Sequence, residues 1–267
     1  MSNDSPSLIF KKSRLVKNII RELRHHLYMF LAQYPDFYIS YSHWRDSFSA
    51  RGDYGGRLLE RDTDIIIDGF PRSANSFAVS AFKLAQNDYV KVANHRHDPA
   101  QIIAAVKKNI PTLVLIREPK YATTSLILHN YSFDYAYASI KRMLRGYCRY
   151  YAPLLPYRDR IVVAHFETVT SDMRGIISTV NDKFGTGFEE FVHTQENVEQ
   201  CFNRIEERAM KFKREKKIQS VETSVSRPSQ HRNELKKKLL RDFSRPENKA
   251  LYSQAYKIYE RFNSVAI

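Results

Sequence analysis

Residues 64–76 read DIIIDGFPRSANS, and this stretch decides the predicted fold. Residues 65–67 are a continuous β-branched run that is too short for a buried helix, and Gly69 and Pro71 end it. A short apolar run bounded by turn residues is typical of a strand that is covered on both faces, as in parallel sheets. The sequence therefore predicts a buried strand, a turn, and a helix over residues 76–87.

Three further strand-like runs alternate with helical segments along the chain. Predicted strands lie at 89–93, 112–116 and 161–164, and predicted helices at 99–108, 119–130, 134–155, 230–243 and 246–262. The helix predicted at 134–155 is long. The helix predicted at 99–108 has a typical start, with Asp98 as N-cap and Pro99 at the first helical position. Strands that alternate with helices predict an α/β fold, with a central parallel sheet flanked by helices.

The composition is that of a folded globular protein. The chain has 267 residues, of which 43% are hydrophobic and 27% charged, so a disordered or fibrous chain is excluded. We predict a helical or irregular extension over residues 1–60 that packs on the core. Residues 61–267 are predicted to form one α/β domain, with a mobile basic loop at about 211–232.

The charge predicts an anionic partner. A formal net charge of +14 fits a nucleic acid, a nucleotide, a lipid headgroup or an acidic sugar. Residues 10–31 form a basic amphipathic pattern that could pack on the domain or lie on an anionic membrane. The sequence has no run of about 18 apolar residues and no signal-peptide pattern, which predicts a cytoplasmic protein without a transmembrane segment. Cys148 and Cys201 show no disulfide or metal-binding spacing and are predicted to be buried free thiols.

The turn after the first strand has the spacing of a phosphate-binding loop. Gly69 and Ser76 match the ends of the pattern G-x-x-x-x-G-K-[ST], while Ala74 replaces the second glycine and Asn75 the lysine. Backbone N–H groups between a strand and a helix N-terminus bind phosphate without a lysine. The alternative is a simple turn in which Ser76 caps the helix.

The same residues resemble a known family. Residues 71–77, PRSANSF, are similar to the PKSGTTW loop with which sulfotransferases hold the 5′-phosphosulfate of 3′-phosphoadenosine 5′-phosphosulfate. The resemblance implies a P-loop NTPase-like sulfotransferase fold and no metal. It also implies that the following residues bind the nucleotide: Arg72, Ser73, Ala74, Asn75, Ser76 and Phe77.

A second segment resembles the same family. Arg117-Glu118-Pro119 ends the third strand and Ser125 follows eight positions after Arg117, as in the RxPxxxxxS segment that holds the 3′-phosphate. Arg117 at the carboxyl end of a parallel strand is expected to face the ligand crevice, although an arginine paired with Glu118 on the surface is the alternative. Residues 226–232 lie where the family has a basic RKG segment, so Arg227 and Arg232 are predicted as further phosphate contacts.

Two histidines follow the second strand, where many members of the family place a catalytic histidine. His95 lies 22 positions before Arg117, close to the family's spacing, while His97 could instead pack beside the helix cap. An ordinary pKa of about 6.5 suits either imidazole as general base. Asp68 and Glu118 are carboxylate alternatives. Arg72 is predicted to act as a fixed positive charge at the bridging oxygen rather than as an acid.

These features predict a sulfotransferase that moves a sulfuryl group from 3′-phosphoadenosine 5′-phosphosulfate to an acceptor hydroxyl, with a carbohydrate or glycolipid as the candidate acceptors. A P-loop kinase or nucleotide hydrolase is one alternative, but it needs the lysine that Asn75 replaces. A basic nucleic-acid-binding protein is the other, suggested by tyrosine and arginine alternating over 135–157. A tyrosine stripe at helical spacing is more often core, which argues against nucleic acid. The oligomeric state is left open.

Overall fold

The computed structural model describes residues 34–47, 57–130, 140–216 and 231–267, together with Leu23 and Phe30. Its strands are β1 (Ile65–Gly69), β2 (Val92–Asn94), β3 (Thr112–Ile116) and β4 (Val162–His165). They form one sheet in the order β2-β1-β3-β4, in which every neighbouring pair is parallel. The predicted α/β fold with a central parallel sheet is confirmed.

Helices cover both faces of the sheet. They are α1 (Pro35–Ser47), α2 (Asn75–Ala85), α3 (Pro99–Lys107), α4 (Pro119–Asn130), α5 (Ile140–Tyr151), α6 (Phe166–Ser171), α7 (Met173–Phe184), α8 (Gln195–Lys216), α9 (His231–Asp242) and α10 (Pro246–Asn263). A 3₁₀ helix, Ala152–Arg160, connects α5 to β4.

Alternate residues of each strand point into two separate cores, as the pleat of a strand requires. Ile66 and Val114 pack with α3, α4, α5 and α10 on one face. Ile65 and Leu113 pack with α2, α7 and α8 on the other face. Because both faces are covered, β1 and β3 are buried at every position, which explains why their sequences are continuous apolar runs rather than alternating ones. Both cysteines are buried free thiols, as predicted.

The turn after β1 is held close to β3. A Cβ atom on Gly69 would overlap the backbone carbonyl of Leu115, so only glycine fits there. The Tyr151 hydroxyl donates a hydrogen bond to the Leu115 carbonyl at 2.6 Å and accepts one from the Phe70 backbone N–H at 3.2 Å. Helix α5 therefore fixes the start of the loop against the sheet.

Element boundaries agree with the sequence prediction where the apolar run is continuous. Strand β3 and helix α4 have the predicted limits, and the Asp98 side chain caps α3 by accepting from the Ala100 N–H at 3.0 Å. Strand β2 starts at Val92 instead of residue 89, because Tyr89 lies in solvent with 75% of its surface exposed. The predicted helix 134–155 is α-helical from Ile140 to Tyr151 in its described part and continues as the 3₁₀ helix.

The predicted loop at 211–232 overlaps helix α8 at its start, whereas the start of α9 agrees within one residue with the predicted helix 230–243. Helix α8 extends through Lys216 and α9 begins at His231, while residues 217–230 lie outside the described residues. Helix α8 itself was not predicted.

The N-terminal region is described mainly through α1. Helix α1 lies within the predicted 1–60 extension and packs on α3, with Tyr38 and Ile39 buried. Most of the predicted helix 10–31 lies outside the described residues. Across the described part of the chain, no helix is both long enough and apolar enough to cross a bilayer.

Candidate functional site

A cavity of about 470 Å³ opens at the carboxyl edge of the sheet. Each of the four strands leads into a residue that lines it, as expected for the ligand crevice of an open α/β sheet. These residues lie one to three positions after the strand ends: Pro71 and Arg72 after β1, His95 and His97 after β2, Arg117 after β3 and Phe166 after β4.

The loop between β1 and α2 has an unusual backbone. Arg72 has φ 73° and Ala74 has φ 68°, both in the left-handed region. The loop is closed by hydrogen bonds to the Phe70 carbonyl, from the Ser73 N–H at 3.2 Å and from the Asn75 side-chain amide at 3.1 Å. Left-handed residues that alternate with others at a helix N-terminus are typical of anion-binding loops.

The two predicted phosphate motifs are joined directly. Arg72 donates from Nε to the Ser125 hydroxyl at 3.1 Å, and Arg117 donates from Nη1 to the Arg72 backbone carbonyl at 3.2 Å. These contacts span 53 and 45 positions of sequence. The structure therefore brings both motifs to one wall of the cavity.

Arg117 is held by packing as well as by this hydrogen bond. Its guanidinium carbon lies 3.7 Å from the centroid of the Phe166 ring, in cation–π contact. Burial lowers the pKa of Arg117, while Glu167 and Glu118 act in the opposite direction. A guanidinium starts so far above neutrality that the side chain stays cationic.

Several buried polar atoms on cavity-lining residues lack a hydrogen-bond partner within the described part of the chain. They are Asn75 Oδ1, Arg117 Nε and Thr124 Oγ1. Buried polar atoms are almost always paired, so an unpaired group in a native protein needs an explanation. A polar ligand in the cavity would provide one.

His95 uses both of its ring nitrogens. Nε2 lies 3.1 Å from the Ser76 hydroxyl, and Nδ1 lies 2.9 Å from Oδ1 of Asn94. Burial and, to a smaller extent, the nearby charge of His97 together lower the pKa of His95 to about 4, although Asp68 acts to raise it. His95 is therefore neutral at pH 7 and a weak base.

His97 is paired with a buried carboxylate. Its Nδ1 lies 2.7 Å from the Gly69 carbonyl oxygen and 3.1 Å from Oδ1 of Asp68, so Nδ1 carries the proton and Nε2 is left as the second ring nitrogen. Burial acts to lower the pKa of His97, but the charge and hydrogen bond of Asp68 outweigh it and raise the pKa. His97 therefore contacts Asp68, a pairing that the sequence did not predict.

Asp68 is an acceptor site rather than a base. It is fully buried and accepts from the backbone N–H groups of Gly69, Arg96 and His97 at 2.9, 3.0 and 2.9 Å. Burial acts to raise the pKa of Asp68, but the charge of His97 and the hydrogen bonds outweigh it and lower the pKa. The other carboxylate alternative, Glu118, accepts from the Tyr252 hydroxyl at 2.7 Å and does not line the cavity.

The structure gathers most of the predicted site residues in this one place. Those that line the cavity are Arg72, Ala74, Asn75, Ser76, Phe77, His95, His97, Arg117 and Ser125. Ser73 is fully buried and does not line it. Arg227 lies outside the described residues, and Arg232 is described only as part of helix α9.

Other cavity residues were not predicted. They are Tyr121, Thr124, Leu126, Leu128, His129, Phe166, Thr170, Phe202, Ile205 and Lys236. Phe202 and Ile205 belong to α8, and the apolar spacing of Val198, Cys201, Phe202 and Ile205 is the signal that could have found this helix. Within the described residues, no group of three or more histidine, cysteine or carboxylate side chains has metal-binding geometry.

Comparisons with known proteins do not assign the chain to a family. No protein-family model matches the sequence, and no curated protein matches it. Among solved structures, the chain is similar to the mouse sulfotransferase SULT7A1 complexed with PAP, with a TM-score of 0.41 and 10% sequence identity. The match covers 74% of this chain and 84% of that chain. A likeness of this size supports no conclusion about fold or activity.

Proposed function

We propose that this protein is a sulfotransferase, which moves a sulfuryl group from 3′-phosphoadenosine 5′-phosphosulfate to the hydroxyl of an acceptor. One observation carries the proposal: the Arg72 loop and the Arg117–Ser125 segment meet at one wall of the cavity, and the histidine pair lines the same cavity. An anionic donor with phosphate groups at two ends is expected to need a cationic contact at each end.

The first loop is assigned to the sulfate-bearing end of the donor. The left-handed loop at the N-terminus of α2 provides backbone donors, and Arg72 provides a charge that does not titrate. Such a charge stabilises the negative charge that develops on the bridging oxygen in a loose transition state. Arg72 is therefore expected to stabilise the leaving nucleotide without giving it a proton.

The second segment is assigned to the 3′-phosphate. Arg117 is fixed by Phe166 and by the Arg72 carbonyl, and its Nε is unpaired among the described residues. The Ser125 hydroxyl and the buried Thr124 hydroxyl are further donors on the same helix. A planar guanidinium beside hydroxyl donors suits a phosphate.

His97 is the preferred general base. In the reaction, the bond between sulfur and the bridging oxygen breaks, a bond between sulfur and the acceptor oxygen forms, and the acceptor's proton passes to Nε2 of His97. Asp68 holds the opposite nitrogen and stabilises the imidazolium that forms, the role that a buried carboxylate plays beside catalytic histidines. His95, whose two nitrogens are engaged, is assigned to holding the Ser76 end of the loop.

Ligand binding and transfer test the proposal in turn. The first measurement is the melting temperature with 3′-phosphoadenosine 5′-phosphate, with ATP and magnesium, and with a single-stranded oligonucleotide. A specific ligand at a concentration of about one hundred times its dissociation constant raises the free energy of unfolding by roughly 2.7 kcal/mol. We expect the first ligand to stabilise; stabilisation by ATP and magnesium alone, or by the oligonucleotide alone, would refute the proposal in favour of the corresponding alternative.

The matched variants are Arg117→Ala and Arg61→Ala. Both remove one positive charge, but Arg61 is exposed and precedes β1 at the amino edge of the sheet, away from the cavity. Arg117→Ala is expected to weaken nucleotide binding by roughly tenfold to a hundredfold, as for a lost charged hydrogen bond. Transfer of labelled sulfate from the donor to a panel of hydroxyl acceptors then tests the reaction itself.

A further inference from the structure

Exposed apolar side chains are concentrated on α1 and the residues that precede it, outside the cavity. Of the thirteen exposed large apolar side chains in the described residues, six fall between positions 23 and 44. They are Leu23, Phe30, Tyr34, Phe37, Tyr41 and Trp44, with 63%, 56%, 54%, 60%, 38% and 61% of their surface exposed. We call Phe37, Tyr41 and Trp44 on α1, together with Tyr34 immediately before it, the aromatic face of α1.

The sequence spacing makes this arrangement regular. Positions 23, 30, 37 and 44 are seven apart, and so are 34 and 41. Two pairs of these rings are in contact, with centroids 5.4 Å apart for Phe30 and Tyr34 and 6.0 Å apart for Tyr41 and Trp44. Scattered surface hydrophobics are normal, but a contiguous patch of this kind marks an interaction surface.

The opposite side of α1 is anchored to the domain. Tyr38 and Ser42 are buried, with 1% and 0% of their surface exposed. His43 Nε2 lies 3.2 Å from the Leu59 carbonyl, and the Leu59 N–H donates to the side chain of Gln101 on α3 at 2.9 Å. The aromatic face therefore points outward from a fixed helix.

The charge of the preceding sequence identifies the partner. Residues 10–31 contain six lysines or arginines and one glutamate. A second copy of the chain carries the same formal net charge of +14, so two copies would repel each other. An anionic bilayer would attract the basic segment and accept aromatic rings at its interface, where tyrosine and tryptophan are favoured.

We propose that the aromatic face of α1 binds the surface of an anionic lipid bilayer, with the rings at the interface. This surface is independent of the proposed sulfuryl transfer. Helix α1 is linked through residues 57–59 to β2, because the Asn94 N–H donates to the Arg57 carbonyl at 3.0 Å. Docking through α1 would hold the strand that leads to His95 at a fixed position relative to the membrane.

The native protein carries its own reporter. Trp44 is the single tryptophan of the sequence and belongs to the aromatic face. On vesicles of phosphatidylcholine and phosphatidylserine at 4:1, its emission is expected to shift to the blue and to be quenched by brominated acyl chains. With pure phosphatidylcholine, or in high salt, binding should be much weaker because the electrostatic attraction is missing or screened.

The matched variants keep this reporter. Phe37→Ser with Tyr41→Ser is expected to weaken vesicle binding by about tenfold or more, because two interfacial rings are lost. Val192→Ser removes an equally exposed apolar side chain elsewhere and should bind as the wild type does. Circular dichroism checks that each variant is folded, and light scattering measures the mass in solution. An unchanged Trp44 spectrum on anionic vesicles, equal binding by the double variant, or a dimer that the double variant abolishes would overturn the proposal.

Discussion

The pH dependence of transfer separates the two histidines as candidates for the base. Asp68 raises the pKa of His97 above its ordinary value of 6.5, whereas burial lowers the pKa of His95 to about 4. A general base works only when unprotonated, and kcat/KM follows the pKa of the free enzyme. With His97 as base, kcat/KM at pH 5.5 should be below about one tenth of its plateau value. With His95 as base, it would hardly change between pH 7.5 and 5.5.

The assay is sulfate transfer from labelled donor at low acceptor concentration, from pH 5 to pH 9. Asp68→Asn removes the charge that raises the pKa of His97, so the acid limb should move to lower pH. Asp64→Asn is the control, because Asp64 is exposed at the amino edge of the sheet. This variant should leave the acid limb of the pH profile at the same pH. His97→Asn, which tolerates the positive φ, should lose turnover but keep nucleotide affinity. A flat profile down to pH 5.5 together with an active His97→Asn variant would refute the assignment.

Three further predictions concern stability. Gly69→Ala should lower the free energy of unfolding by about 3 kcal/mol, because its Cβ would overlap the Leu115 carbonyl; a wild-type value in urea denaturation contradicts this. Ala74→Gly should raise the free energy of unfolding by about 1 kcal/mol, and Gly185→Ala should lower it by about as much, because φ is 68° and 65° at these positions. A change of the same sign for both variants in urea denaturation would contradict this explanation. The free energy of unfolding of the wild type should fall by up to about 3 kcal/mol as pH falls from 6.5 to 4, because His95 binds a proton in the unfolded state and not in the folded state. Thermal melts should show a smaller loss of stability for His95→Asn. An equal loss in the variant would mean that other groups cause it.

The sheet could be predicted from the sequence because its central strands are buried on both faces. Residues 65–67 and 112–116 are continuous apolar runs, and such runs have few alternative structures. Strand β2 is short and its start was misplaced, since Tyr89 and Val90 have strand propensity but lie outside the ladder. Helix α8 was missed because its apolar positions are few among many charged ones.

The candidate site was predicted only in part, because sequence spacing gives neither contacts nor protonation states. The two predicted phosphate-binding motifs follow from their residues, but the hydrogen bond between Arg72 and Ser125 depends on how α4 follows β3. The preference for His95 rested on its spacing from Arg117. The pairing of His97 with Asp68 depends on two loops that meet after β1 and β2, and a single sequence does not contain that information.

Four non-glycine residues around the cavity have a left-handed backbone: Arg72, Ala74, His95 and His97. Each such residue costs roughly 1 kcal/mol in the folded protein, and the cost is present whether or not a ligand is bound. A screen that selects only for heat resistance should therefore enrich glycine and asparagine at these four positions. A screen that selects for turnover should retain the native side chains at Arg72 and His97. Positions at which the two selections differ would therefore identify the cavity residues that the reaction needs, without any ligand-bound structure.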